Sequence, residues 1–316
     1  LKRFIIGLTA ITLALAACGD DSDTAGTSAP TSSIGTSAPS VDTSSVDTSS
    51  VDTSSVDTSE LPSRIISLSP TATEMIFAIG AGDQLIAVDE YSNYPEAALE
   101  LPHDLSGFEP NAEAIAALQP DLVLHDGTTS LGESLDALGI AHWVGAAAVT
   151  FDDIYAQIEQ LGAATGHVGE AAELVGQMQT DIETILADAP KPVEPLTYFH
   201  ELDNTLYSVT SNTFIGQVYG AFGLQNISDS AAGGSDYPQL TAEFVISADP
   251  DIIFLADASF GESAETVAAR PGWGDITAVK NASIVGLDAD IPNRWGPRVV
   301  DYLRVVADAL AAVPVG

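Results

Sequence analysis

The sequence predicts an α/β protein of two lobes, each built on a mainly parallel sheet, connected by one long helix. Three observations carry this. Short continuous apolar runs alternate with helical segments, the pattern of parallel strands covered on both faces. A unit of helix, Pro-Asp turn and aliphatic strand occurs twice, as NAEAIAALQPDLVLHD (111–126) and AEFVISADPDIIFLAD (242–257). Between the two copies, HVGEAAELVGQMQTDIETILADAP (167–190) places Val168, Ala171, Val175, Met178, Ile182, Ile185 and Ala189 along one helical stripe, in steps of three and four.

Taken in order, the first sixty residues stand apart. Lys2 and Arg3 precede a fourteen-residue apolar run, Phe4 to Ala17, too short to span a bilayer but suited to the core of a signal peptide. Leu15-Ala16-Ala17-Cys18 resembles a bacterial lipobox. That implies removal of residues 1–17 and a diacylglycerol on Cys18 as the mature N-terminus. Cys18 is the one cysteine of the 316-residue chain, so an exported protein must here be held together by its core without an internal disulfide. Residues 18–60 read as the lipidated cysteine and an acidic Ser/Thr-rich tether. Four tandem SVDTS copies fill 40–59, and eight acids with no base and no aromatic fall between 19 and 60. Such a composition buries too little apolar surface to order itself, and its random-coil span is roughly 35 Å.

The globular part holds thirty-seven of the forty-five acids but seven of the nine bases, a balance of −30, and no Lys or Arg occurs between Arg64 and Lys191. Binding to nucleic acid needs clustered cations to neutralise phosphates, so that class is excluded. Anionic ligands are disfavoured.

Residues 61–166 read as the N-terminal lobe, 167–190 as the linking helix and 191–316 as the C-terminal lobe. RIISLSP (64–70) is a strand ending in Ser-Pro, and TATEMIFAIGAG is a helix closed by Gly80 and Gly82. QLIAVDE (84–90) is the next strand, and 111–126 supplies helix, turn and strand. In the second half, TLYSVTSNTFIGQVYGAFGLQNISD (205–229) is expected as strand, helix and strand, followed by the helix and strand of 242–257. Glu113 precedes Pro120 by seven residues, as Glu243 precedes Pro250. The linking helix of about 20 residues reaches about 30 Å at 1.5 Å per residue, and Pro190, Pro192 and Pro195 terminate it.

The stretches RIISLSPTATEMIFAIGAGDQLIAVDEYSNYP, EPNAEAIAALQPDLVL, YPQLTAEFVISADPDIIFL and NRWGPRVVDYL, with the linking helix, together resemble the periplasmic-binding proteins of ABC importers for iron-siderophores and cobalamin. The resemblance covers roughly residues 62–312. It implies two lobes joined by one rigid helix, a ligand cleft between them, and delivery of the ligand to a permease dimer driven by an ATPase. The lipobox and tether fit this independently, placing the protein on the outer face of the cell membrane by its lipid anchor alone; a monomer with no cofactor and no enzymatic role is expected.

The resemblance further implies one surface glutamate on each lobe that meets permease arginines. Glu74 in SPTATE and Glu243 in YPQLTAE match that pattern, with Glu113 outside it. The residues themselves offer Glu74 a second role, as the partner of a Thr71 N-cap in a capping box.

Ligand contacts are expected on loops at the carboxyl ends of strands. In the first lobe these loops carry Ser69, Tyr91, Tyr94, Phe108, His125 and Asp126. In the second they carry His200, Glu201, Asn212, Tyr237, Asp290, Arg294 and Trp295. Loop aromatics suit a large, flat, partly apolar ligand. Cobalamin binders of the family often have tryptophan where this chain has Gly107 and Asp126, and a cleft with only Arg294 and Arg298 fits a neutral or cationic ligand. The expected ligand is therefore a ferric siderophore of the hydroxamate type, ahead of a corrinoid. Haem on Tyr91, Tyr94, His125 or His200 and a Zn or Mn ion stand behind these. The five histidines (103, 125, 142, 167, 200) lack paired ligand spacing, and the chain has no G-x-S-x-G, S-x-x-K or P-loop motif.

Overall fold

A computed structural model describes residues 61–314. The assignments of the signal peptide, Cys18 and the tether lie outside the described residues.

The N-terminal sheet contains β1 (Ile65–Ser67), β2 (Leu85–Val88), β3 (Leu122–His125) and β4 (His142–Val144) in the order β2-β1-β3-β4, all parallel. The C-terminal sheet contains β5 (Thr197–Glu201), β6 (Gln225–Asn226), β7 (Ile252–Leu255) and β8 (Ile284–Gly286) in the order β6-β5-β7-β8, again parallel. The two orders are equivalent, so β3 corresponds to β7. Each Pro-Asp turn does the same work in its lobe. Asp121 Oδ2 accepts from the amides of Ser63 and Arg64 at the start of β1, and Asp251 Oδ2 accepts from the amide and hydroxyl of Thr197 at the start of β5.

The helices are α1 (Pro70–Ala78), α2 (Ala112–Ala117), α3 (Leu131–Leu138), α4 (Phe151–Thr165), α5 (Val168–Asp188), α6 (Phe214–Ala221), α7 (Ala242–Ala248), α8 (Ala264–Ala268), α9 (Thr277–Lys280) and α10 (Val299–Ala312). Successive strand residues face opposite sides, which explains why the strands are apolar throughout. Ile65, Leu122, Leu124, Tyr198, Ile252 and Phe254 face one continuous core with α1, α4, α5, α6 and α10 that runs through both lobes. Ile66 and Val123 face a second core under α2 and α3. Phe199, Ile253 and Leu255 face a third under α7, α8 and α9.

The long helix α5 runs 21 residues and buries Ala171, Val175, Met178 and Ile182. It packs against both α4 and α10. The approach of α4 depends on Gly162, because a Cβ there would lie 2.4 Å from Ala171 Cβ. Among the described residues no helix is long and apolar enough to cross a membrane.

Two local expectations are corrected. The N-cap of α1 is Ser69, whose hydroxyl accepts from the Ala72 amide with Pro70 at N1. Thr71 is inside the helix, so Thr71 and Glu74 form no capping box. Residues 205–210 are not a sheet strand. Leu206 has φ of 69° and Tyr207 makes an isolated antiparallel bridge to Gln239, while the first strand of this lobe is β5.

Candidate functional site

The carboxyl ends of the two sheets face one another across the lobe boundary. The loop after β2 (89–95) meets the segment after β8 (288–298), where Asn93 Nδ2 donates to Asp290 Oδ2 at 2.9 Å and Arg294 Nη2 donates to the Tyr91 carbonyl at 3.0 Å. Open α/β sheets hold their ligands at this end of the strands, which makes this boundary the candidate crevice.

Four of the expected aromatics are exposed there or on neighbouring loops: Tyr91, Tyr94, Phe108 and Tyr237. Tyr91 and Phe108 stack edge to face with centroids 5.4 Å apart. Gly107 explains why the aromatic of this loop sits at 108. A Cβ at 107 would lie 2.9 Å from both Asp89 Oδ2 and the Leu68 carbonyl, so no side chain fits there. Asp126 is half-buried and accepts from the Thr128 amide and hydroxyl. Asn212 is exposed and donates to Asp236. Trp295 is half-buried against the shared core.

Other candidates point elsewhere, and strand parity is the reason. His125 faces α3, 4% exposed, and its Nδ1 accepts from the Gly127 amide. That leaves Nε2 to donate to His142 Nδ1 at 3.0 Å, with Asp136 beyond. Burial, with His142 adding to it, holds the His125 pKa below the ordinary histidine value. His200 is fully buried against the Tyr219 hydroxyl, and burial pushes its pKa down to about 3. Glu201 is fully buried on the opposite face of β5 and takes both ends of the Arg270 guanidinium. Burial raises its pKa, against the pull of Arg270. Ser69 caps α1. None of these four side chains is available to a ligand in the crevice, which also removes both histidines as axial haem ligands. Among the described residues no group of three or more His, Cys, Asp or Glu side chains is placed to hold a metal ion.

The largest correction concerns Glu74. It is not a surface residue: its side chain is 1% exposed. Arg294 Nη1 donates to its Oε1 at 2.9 Å, Arg298 Nε to its Oε2 at 2.9 Å and Arg298 Nη2 to its Oε1 at 2.5 Å. Arg294 also binds Asn93 Oδ1 and Asp290. Both crevice arginines are therefore already paired, and Arg294 is no free anion receptor.

The residue that corresponds to Glu243 is Glu113. Glu243 is the second residue of α7 behind the N-cap Thr241, and Glu113 is the second residue of α2 behind the N-cap Asn111. Both are exposed, and their helices lead into β7 and β3, the equivalent strands. The seven-residue spacing to Pro120 and Pro250 was the sequence signal for this pairing. Sequence reasoning also missed Phe260, 84% exposed on the loop after β7.

Asp89 sits beneath the crevice loop, 2% exposed, and accepts from the Ser92 hydroxyl at 2.5 Å. Burial, with Glu90 adding to it, raises its pKa to about 6 against the Ser92 hydrogen bonds and Arg294. A raised carboxyl favours the folded state below its unfolded pKa, and that contribution is lost as pH rises through 6. Asp89→Asn should therefore gain on the wild type between pH 5 and pH 7.5 by about 1.4 kcal/mol, the single pKa unit that separates pH 5 from the raised value. Urea unfolding at the two pH values checks this, and an unchanged difference between variant and wild type would count against a protonated Asp89.

Two parallel α/β lobes that share one continuous core have the architecture of two-lobed periplasmic binding proteins. The family model described as "Periplasmic binding protein" matches residues 65–291, and the chain belongs to that family. It is 30% identical over 260 residues to the uncharacterized ABC transporter substrate-binding lipoprotein YvrC of Bacillus subtilis (79% of this chain, 80% of that one). It is 32% identical over 257 residues to the vitamin B12-binding protein of Vibrio cholerae (78% and 88%). The solved structure of the periplasmic heme-binding protein RhuT from Roseiflexus sp. RS-1 superposes with a TM-score of 0.70 at 26% identity (79% and 99%). The chain is thus a substrate-binding protein of the ABC-importer type, and its homologues are extracytoplasmic binding proteins. Substrate-binding proteins of ABC importers bind small ligands and work with a permease and its ATPase, and the family's role is binding rather than catalysis.

Proposed function

We propose that the ligand is a corrinoid, captured in the crevice between the lobes and handed to the permease. The observation that carries this is the set of exposed aromatic rings on loops that follow the strands of both lobes, beside two arginines already paired with Glu74 and Asp290. Apolar walls with few polar groups suit a large, flat ligand without net negative charge. The vitamin B12-binding relative at 32% identity supports the choice of a corrinoid over the ferric hydroxamate that the residues alone favoured. Tyr91, Tyr94, Phe108 and Tyr237 are the contacting rings in this reading, with Asp126, Asn212, Asp290 and Trp295 at the margin.

The lipid on Cys18 and the tether through residue 60 hold the binder at the membrane in the same reading. Glu113 and Glu243 are the docking acids, one on each lobe, and they replace the pair that included Glu74.

Calorimetric titration with cyanocobalamin tests the ligand. A 1:1 complex with Kd of about 1 μM or tighter, about −8 kcal/mol, is expected. No binding of cyanocobalamin, with 1:1 binding of ferrichrome, would return the ligand to the hydroxamate class. A Soret shift with haemin and no corrinoid binding would move it to haem.

A further inference from the structure

We propose that Glu74 is a positioning residue for the ligand site: it holds two arginines of the far lobe in place, and these hold the two crevice tyrosines. Glu74 lies on α1 of the N-terminal lobe, while Arg294 and Arg298 precede α10 and come from the C-terminal half of the chain. The Arg294 guanidinium spans Glu74 Oε1, Asn93 Oδ1, Asp290 and the Tyr91 carbonyl. The Arg298 guanidinium grips both Glu74 oxygens and lies 4.3 Å from the centroid of the Tyr94 ring. Asn93 Nδ2 completes the link by donating to Asp290. Every contact that the far lobe makes with residues 91, 93 and 94 in this network thus comes from Asp290 or from an arginine bound to Glu74.

A buried ion cluster is weak evidence for stability, because desolvation offsets much of the attraction; fixing one arrangement is its better-attested use. Here two acids, Glu74 and Asp290, balance two arginines, and the planar guanidinium of Arg298 faces a ring that is 46% exposed and open to a ligand. Arginine is suited to this double task, since its rigid fork binds a carboxylate while its plane stacks on an aromatic face. The clamp on the loop 89–95 is made of protein side chains alone, so it can shape the loop without a contribution from the ligand. Removing the clamp lowers the fraction of molecules competent to bind, and the apparent Kd rises by the inverse of that fraction.

The test has two arms, and the second rests on the corrinoid reading. Glu74→Gln keeps the shape of the side chain and removes its charge. In the protein without ligand, backbone amides of 89–94 should exchange about tenfold faster or more in this variant, while those of β1 and β3 stay as in the wild type, the signature of local rather than global opening. With cyanocobalamin as the probe, Glu74→Gln should bind about tenfold more weakly. Tyr94→Ala should cost much less in the Glu74→Gln background than alone, the coupling expected when one residue acts through the other. If Glu74→Gln does not fold, Arg298→Lys gives the same readouts, since it keeps the charge opposite Glu74 but loses the fork. Unchanged exchange at 89–94, or additive effects of the two substitutions, would overturn the proposal. Failure of the wild type to bind cyanocobalamin would overturn the corrinoid reading, and the exchange arm alone would then decide the role of Glu74.

Discussion

Glu113→Arg combined with Glu243→Arg is expected to abolish uptake of labelled cyanocobalamin in cells carrying the partner permease and ATPase, with ligand affinity unchanged. Both acids are exposed second residues of short helices, α2 and α7, which lead into equivalent strands of the two sheets. A pair related in this way fits a permease dimer that presents the same cationic surface twice. Reversal brings like charges together at two points, each costing several kcal/mol, and every 1.4 kcal/mol is a tenfold loss of complex. The fold has little reason to suffer. Losing an acid from the first turn of an exposed helix costs 0.3–1 kcal/mol by the dipole rule, so the unfolding midpoint should barely move. Glu133→Arg, an exposed acid in the first turn of α3, is the control. Uptake retained in the double variant, or lost equally in the control, would show that α2 and α7 are not the docking helices.

Arg270→Ala should be the most destabilising single substitution of those considered. Its guanidinium is the cation for the fully buried Glu201, bound through both oxygens at 2.5 and 2.6 Å, and it also pairs with Glu262 and lies 4.6 Å from the Trp273 ring centroid. Removing it strands a carboxylate in the interior beside Asp257 and Glu262, whose charges already raise the Glu201 pKa further. Breaking a buried pair from one side typically costs 3–5 kcal/mol, about 10 °C in Tm for a domain of this size. The pH dependence has a definite sign. The Glu201 pKa is raised already in the wild type and rises further without Arg270, so protonation relieves the defect and the loss shrinks as pH falls toward 5. Arg270→Met with Glu201→Leu, which removes both charges, should recover much of the loss. Thermal melts at pH 5 and pH 7.5 measure all three variants. An Arg270→Ala protein as stable as the wild type at pH 7.5 would mean that water or a shifted side chain satisfies Glu201.

Much of the fold was legible because its signals are local. The repeated helix, Pro-Asp turn and strand of 111–126 and 242–257 reappears as two parallel sheets of equivalent order. The three- and four-residue stripe from Val168 appears as α5. The site was less legible. Placing His125, His200 and Glu201 at strand ends identified the right end of the sheet, but strand parity turned their side chains under α3, into the shared core and toward Arg270. The 205–210 segment looked like a strand by composition, and Leu206 in the left-handed region made it a loop instead.

Glu74 shows where the division falls. Local sequence determined that an acid stands on the first helix after Ser-Pro, and it determined the lobes, the repeat and the family. Only the tertiary structure decided what that acid does, because its partners Arg294 and Arg298 lie 220 and 224 positions away along the chain. Helix and strand periodicities are written within a few residues of one another. The partner of a buried charge is set by how elements from both lobes pack, so a carboxylate that reads as a surface docking residue in sequence became the centre of an interlobe clamp in the fold.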